Sequence, residues 1–284
     1  MLIARDVAYF CAYSKIQMHS FFAHKVVVVT GGTEGIGKAL VIQLLAQGAS
    51  VATCGRNKEK LQALQQTYPT LFCMQADVSQ MEDCNDFILE TIKKFGGIDV
   101  LINNAGISMR ALLADADVSI FKTVMDINYF GTVYCTKFAL ASIVQRRGSI
   151  VGVSSIAGFR GLPGRTGYSA SKFAVNGFLE ALRTELSGDG VNVMWVCPGF
   201  TKSNIRNAAL NAKAESHGET PMDEDSLMSA EACAGHILTA IQKRKRSLVL
   251  TFTGKRTVFM NKFFPDWTDK LTRKFFFKND KLVK

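Results

Sequence analysis

From residue 25 onward, short β-branched runs alternate with longer segments of helical character, and this alternation leaves the chain few folds to choose from. KVVVVT at 25–30 carries no helical stripe and suits a strand buried on both faces. Strand-like runs follow at 50–54, 71–76, 98–103, 149–154, 191–197 and 247–250. Helices are expected over 35–47, 58–67, 80–95, 117–146, 166–187 and 230–243, punctuated by Gly48, Tyr68-Pro69 and Gly96-Gly97. Strands separated by helices need crossover connections. The expected fold is therefore α/β, a Rossmann-like doubly wound parallel sheet of about seven strands with helices on both faces.

A chain of 284 residues, 48% of them hydrophobic, has enough apolar material for one large core. A single domain is expected over 25–254, between an N-terminal extension, 1–24, and a C-terminal tail, 255–284. The stretch 201–228 is polar, rich in small residues and too long for an idle connection, so it is expected to be a substrate lid. Apolar runs as short as Val26–Val29 fall far below the ~20 residues of a membrane-spanning helix. Arg5, Asp6, Lys15 and His19 interrupt the first 25 residues, which do not form a secretory signal, and Met18 offers an internal start. Cysteines stand at 11, 54, 73, 84, 135, 197 and 233. An odd number with no C-x-x-C pair argues against a disulfide framework and against any metal centre, and points to a reducing, cytoplasmic setting.

The first strand runs directly into TGGTEGIG at 30–37, and a helix begins there. Gly31, Gly35 and Gly37 allow a tight turn and a close backbone approach, while the helix start offers free N–H groups to a pyrophosphate. Strand two ends in Cys54-Gly55-Arg56, where an NAD site usually carries an acidic residue for the ribose. Arg56 instead offers a planar cation to a 2′-phosphate, which favours NADP(H). Glu34, beside Gly35, works against that preference unless it points away. Asp77-Val78 follows strand three, and Asn103-Asn104-Ala105-Gly106 follows strand four.

Tyr168 and Lys172 lie four apart at the start of a helix and share one face. A nearby ammonium moves a phenol toward acid–base work at neutral pH. Ser155 closes a strand thirteen residues before Tyr168, with Ser154 as the competing hydroxyl, and Asn128 sits within the preceding long helix in DINYFGT. Pro198-Gly199-Phe200-Thr201 follows the strand at 191–197.

These motifs resemble the short-chain dehydrogenase/reductase superfamily, in the T-G-x-x-x-G-x-G and Y-x-x-x-K branch, over roughly residues 24–250. The run from VSSIAG through GYSASK to CPGFTKSNI is most similar to 11β-hydroxysteroid dehydrogenase-like and 3-ketosphinganine reductase-like members. The resemblance implies that Ser155 bonds a substrate carbonyl oxygen and Tyr168 gives it a proton. Lys172 is implied to hold the nicotinamide ribose and depress the Tyr168 pKa, and Asn128 to keep a water that relays the proton. For the cofactor it implies Gly31, Thr33, Gly35, Ile36, Gly37, Arg56, Asp77, Val78, Asn104, Ala105, Gly106, Tyr168, Lys172, Pro198, Gly199 and Thr201, with Thr201 or Ser203 at the carboxamide. It also implies homodimers or homotetramers through the two long helices.

The substrate pocket is expected from 107–113, 156–165 and the lid. Ile107, Met109, Leu112, Leu113, Phe159, Leu162 and Phe200 suggest a hydrophobic carbonyl or alcohol, lipid- or steroid-like. Arg160 and Arg165 are expected at the exposed surface, the alternative being contact with an acidic headgroup. A non-catalytic NADP-binding regulator is the rival reading, and the intact Ser155, Tyr168 and Lys172 argue against it.

The net charge of +10 is unevenly spread: from Lys243 to Lys284 there are 13 Lys/Arg against three Asp, while the first 242 residues balance at 21 of each sign. Basic residues interleave there with Phe259, Phe263, Phe264, Trp267 and Phe275–Phe277. Such a segment either packs its aromatics on the body or a partner subunit, or lies peripherally on an anionic membrane. Nucleic acid is not expected, since no recognition motif accompanies the charge.

Overall fold

The computed structural model describes residues 20–218 and 227–283. The N-terminal extension as far as His19, the lid residues 219–226 and Lys284 lie outside that range.

Seven strands form one parallel sheet: β1 Val26–Thr30, β2 Ser50–Gly55, β3 Phe72–Gln75, β4 Val100–Asn103, β5 Ser149–Val153, β6 Asn192–Cys197 and β7 Ser247–Val249. Their order across the sheet is β3-β2-β1-β4-β5-β6-β7. Within β1, successive side chains enter opposite cores, as a strand period of two requires. Val27 and Val29 pack with Leu40 and Leu44 of α1 (Gly35–Ala46) and with Ile237 and Ile241 of α7 (Ala230–Gln242). Val26 and Val28 pack on the other face. There they meet Phe87 of α3 (Met81–Phe95), Cys135 and Ile143 of α5 (Gly131–Gln145) and Leu179 of α6 (Thr166–Glu185). The three-layer arrangement expected from the alternation of strands and helices is what the chain forms. The short α2 (Lys58–Thr67) flanks the β2–β3 edge, its start capped by the Asn57 side chain accepting from the Lys60 N–H at 2.7 Å.

The single helix expected over 117–146 is three pieces: α4 (Ser119–Met125), a π-turn at Asp126–Phe130, and α5. The Gly131 N–H reaches back five residues to the Asp126 carbonyl. The extra residue rotates the helix so that two contacts coexist. Asn128 points inward at 1% exposure, and Gly131 lies so close to Val78 that a Cβ would meet the Val78 carbonyl at 2.9 Å. Hydrophobic periodicity does not register a one-residue insertion of this kind.

Beyond the sheet, α8 (Phe252–Phe263) and α9 (Pro265–Phe276) form a helical hairpin, followed by a two-stranded ribbon of β8 (Phe277–Lys278) and β9 (Lys281–Leu282). At the other end of the chain, Phe22 precedes the first strand and is 1% exposed within the α1/α7 core. Truncating it should cost about 3–5 kcal/mol, the usual penalty for emptying a core phenylalanine site. We expect Phe22→Ala to lower the unfolding free energy from urea titration by that amount, with a correspondingly lower midpoint; a midpoint within error of the parent would place Phe22 outside the cooperative unit.

Candidate active site

Strand order reverses between β1 and β4, and open α/β sheets bind ligands in the crevice outside such a switch point. The turn after β1 is shaped for close approach. Gly31 takes φ +69° and Gly35 φ +51°. At Gly37 a Cβ would lie 2.2 Å from the Gly31 carbonyl oxygen, so only glycine lets the helix start so near the turn. The loop is anchored from two sides. Gly32 N–H donates to Thr53 Oγ1 at 3.0 Å, and Thr53 donates in turn to the Val29 carbonyl at 2.7 Å. Asn104 Nδ2 donates to the Thr30 and Gly31 carbonyls at 2.9 and 3.1 Å, while the Thr30 hydroxyl accepts the Asn104 and Ala105 N–H groups, each at 3.0 Å.

The cleft so framed has a volume of about 330 Å³. Along its floor run Gly31, Thr33, Gly35, Ile36, Gly37, Asn104, Ala105 and Gly106; Arg56, Asp77 and Val78 lie toward one end, and Ser155, Tyr168, Lys172, Pro198, Gly199 and Thr201 toward the other. Every expected cofactor residue thus lies on this one cavity. Glu34 lines it too, but its carboxylate is ion-paired with Lys60 of α2, which holds it below the usual carboxylate range. Asp77 is partly committed, accepting from the Ser79 N–H and hydroxyl at 3.0 and 2.8 Å.

At the reactive end, Ser155 is extended (φ −158°), its hydroxyl accepts from Ala157 N–H at 3.1 Å, and it neighbours Tyr168 on the cleft wall. Ser154 differs: it is 4% exposed, and its hydroxyl turns to the Lys172 carbonyl at 3.4 Å. Both serines line the cleft, but the Ser154 hydroxyl is turned to a backbone carbonyl. Lys172 Nζ donates to the Val153 carbonyl at 2.9 Å, and a Cβ on Gly106 would lie 3.4 Å from it. Burial lowers the lysine to about 8. Burial also raises the Tyr168 phenol, opposed by the neighbouring Ser155 hydroxyl and by the positive charge of Arg165. The cation offsetting burial at the phenol is thus Arg165, and the Lys172 ammonium stands 5.8 Å from the Tyr168 ring centre.

Asn128 does not line the cleft. It lies beneath it, accepting from Ile107 N–H at 2.8 Å and donating to the Ile107 carbonyl and Ser171 Oγ, each at 2.9 Å. Ser171 donates to the Tyr168 carbonyl at 2.7 Å, so the asparagine ties the β4 loop to the tyrosine's helix. Thr201 is buried with its hydroxyl 3.5 Å from the Pro198 carbonyl, whereas Ser203 faces the glycine turn, its Cβ 3.2 Å from where a Gly35 Cβ would stand.

Several expectations at the substrate end need correction. Met109 is fully buried in a small core with Ile120, Val124 and Tyr168, because residues 108–110 pair with Leu210 of the lid segment. Leu113 and Phe200 are exposed instead. Arg160 and Arg165 are not surface arginines. The Arg160 side chain is 16% exposed and ion-paired with Asp269, and Arg165 sits over Phe276 at 5.5 Å; the C-terminal hairpin covers both. Thr30, Gly32, Thr53, Lys60 and Ser171 went unnoticed in the sequence. Only Thr30 had a local signal, as the first residue of the glycine motif; the rest act through contacts distant along the chain.

Residues 25–214 match the family model for short chain dehydrogenases. "Dehydrogenase/reductase SDR family member 7B" of Mus musculus is 34% identical over 262 residues, covering 88% of this chain and 81% of its own. The "11-beta-hydroxysteroid dehydrogenase A" of Sesamum indicum is 35% identical over 209 residues, covering 72% and 59%. A short-chain dehydrogenase structure from Streptomyces avermitilis superposes with a TM-score of 0.76 at 26% identity, covering 89% of this chain and 99% of that one. A Burkholderia phymatum relative in complex with NAD shares the fold, with the same TM-score at 20% identity. On its matched sequence, its sheet order and its glycine-turn cleft, the chain belongs to the short-chain dehydrogenase/reductase family of oxidoreductases.

Proposed function

We propose that the chain is an NADPH-dependent reductase of a hydrophobic, lipid- or steroid-like ketone or, in reverse with NADP+, a dehydrogenase of the matching alcohol. The observation that carries this reading is the convergence of Ser155, Tyr168 and Lys172 on one end of the glycine-turn cleft. The glycine turn and the N-terminus of α1 suit a pyrophosphate, because the backbone there is unobstructed and its N–H groups are free of helix partners. Arg56 is exposed on the cleft, which suits a third phosphate. When bound, the reduced nicotinamide supplies the hydride.

The chain's own groups supply the proton and the orientation. The Ser155 hydroxyl, on the cleft wall with the phenol, donates to the substrate oxygen as negative charge develops there. Tyr168 transfers its proton to that oxygen. A phenol whose pKa is raised by burial holds its proton at neutral pH, and is thus poised for reduction. Lys172, fixed by the Val153 carbonyl, is suited to hold a ribose hydroxyl. The π-turn and Asn128 keep the Tyr168 helix in register with the β4 loop. Phe130, at the end of the π-turn and stacked on Tyr134 of α5, and Phe173 of α6 are exposed, and support pairing of subunits through those helices.

The test is NADPH oxidation across ketosteroids, 3-ketosphinganine, acyl ketones and simple aldehydes. With the best substrate, Tyr168→Phe should cut kcat by about 10²–10⁴-fold, the usual worth of a positioned proton donor, while NADPH still binds. A chain that binds NADPH yet oxidises it with no member of the panel would be a regulator instead.

Arg56→Ala should cost about 10- to 100-fold in kcat/KM with NADPH, the value of one charge-assisted hydrogen bond, and leave NADH use nearly unchanged. An equal loss with both cofactors would remove Arg56 from the 2′-phosphate.

Lys172 is cationic below about pH 8 and loses its proton as pH rises through that value. Reduction should therefore be flat below pH 8 and decline above it. Lys172→Arg, which stays charged, should carry the plateau to higher pH; an unchanged break would assign it to another group.

A further inference from the structure

The C-terminal hairpin is built inside out. In α8, the one fully buried residue is a glycine, beside the half-buried Thr257, Val258, Met260 and Asn261. Gly254 is buried so tightly that a Cβ would lie 2.9 Å from Ile156 Cδ1. Asn261, two turns on, donates to the Phe159 carbonyl at 2.9 Å and accepts from Arg160 Nη1 at 3.0 Å. Phe252, Phe259 and Phe263 recur at helical spacing on the opposite face, Phe252 being 80% exposed. In α9, Thr268 and Phe276 are buried, while Phe264, Trp267, Leu271 and Phe275 face outward. Phe259 and Phe263 touch each other, with ring centres 4.8 Å apart, and Phe263 and Phe264 lead into the turn. An ordinary amphipathic hairpin would place these rings against the core.

Around them stand Lys255, Arg256, Lys262, Lys270 and Lys274, all exposed. Of the two acids in the hairpin helices, Asp269 is spent on Arg160, which leaves only Asp266 among the outward charges. We infer that the outer face of the α8–α9 hairpin is a docking surface for an anionic lipid bilayer. Aromatic rings enter the headgroup–acyl boundary while flanking cations meet lipid phosphates. Two-fold pairing of this face with a second copy is the weaker occupant. It would bring two cationic rims together, and lysine is depleted at protein interfaces. Neither helix is long or apolar enough to span a bilayer, so the mode is peripheral.

The placement bears on the active site. The hairpin and its ribbon sit on the segment between Ser155 and Tyr168: Asn261 on Phe159, Phe276 under Arg165, and Leu282 against Gly164. A bilayer held at the outer face lies beside the substrate end of the cleft, where a lipid-like ketone would enter. This goes beyond the reaction proposed above, and its readout is independent of turnover.

The test is flotation of the full chain with vesicles of phosphatidylcholine alone or with about 30% phosphatidylglycerol. We expect at least about tenfold more protein to float with the anionic vesicles, and a marked loss in about 0.5 M salt. The triple variant Phe259→Ser, Phe263→Ser, Trp267→Ser should abolish flotation while its thermal midpoint stays near the parent's, since these rings contribute little to the core. As a second readout, the chain has two tryptophans, of which Trp195 is 7% and Trp267 59% exposed. Anionic vesicles should shift the emission to the blue, and Trp267→Phe should erase the shift. The proposal is overturned if the chain floats with neither vesicle, or if the triple variant floats as well as the parent. A chain that ignores vesicles but dimerises, with the dimer lost in the triple variant, would assign the face to a second copy.

Discussion

The interaction on which the cleft depends is the clasp between the ends of β1 and β4. Asn104 gives both amide hydrogens to carbonyls of the glycine turn, and Thr30 returns the favour by accepting two N–H groups from the β4 loop. Neither turn has a regular strand partner beyond the sheet edge, so these four bonds satisfy backbone groups that would otherwise need water. They also fix the distance between the phosphate-binding turn and the Asn104–Gly106 loop. Gly106 in turn lies against Asn128 and Lys172, so the clasp sets where the lysine meets the cleft. The reactive end is thereby referenced to the cofactor end through one short chain of contacts.

Much of this was legible in the sequence because it is local. The glycine spacing, Y-x-x-x-K and the serine thirteen residues upstream each describe one turn, one helix or one strand exit, and the parallel sheet follows from crossover connections. What escaped notice depends on contacts between distant segments. Thr53 matters because β2 lies beside β1 and brings its hydroxyl under Gly32. Lys60 matters because α2 starts within reach of Glu34. The π-turn left no trace because Asp126–Phe130 continues the same apolar pattern as its neighbours, and only the pull of Ile107 on Asn128 and the closeness of Val78 to Gly131 reveal it.

The tail defeats pattern reading for a different reason. Apolar residues at helical spacing are ordinarily assigned to a core, and here most of the large rings face outward, while Gly254, Thr268 and Phe276 are the fully buried residues. Arg160 and Arg165 were misplaced by the same inversion. Two cations between a serine and a tyrosine look solvent-facing until a segment from the far end of the chain covers them, one by ion pair and one by an aromatic face.

That cover constrains the chemistry. The segment 156–165 joins the hydroxyl to the phenol, and it has little regular structure beyond a single 3₁₀ turn at Ile156–Gly158. It is pinned from both sides: from the body by Asn176 donating to the Gly158 carbonyl at 2.9 Å, and from the hairpin by Asn261 on the next carbonyl, that of Phe159. Arg160, fixed by Asn261 and Asp269, extends the second anchor. A loop held at consecutive carbonyls cannot drift independently of what holds it. Displacement of the hairpin would thus be felt at the Ser155–Tyr168 pair, and Phe276 would release Arg165, the charge that offsets burial at the phenol. The C-terminal helices are therefore part of the active site's support, joined to the reacting groups through one anchored loop.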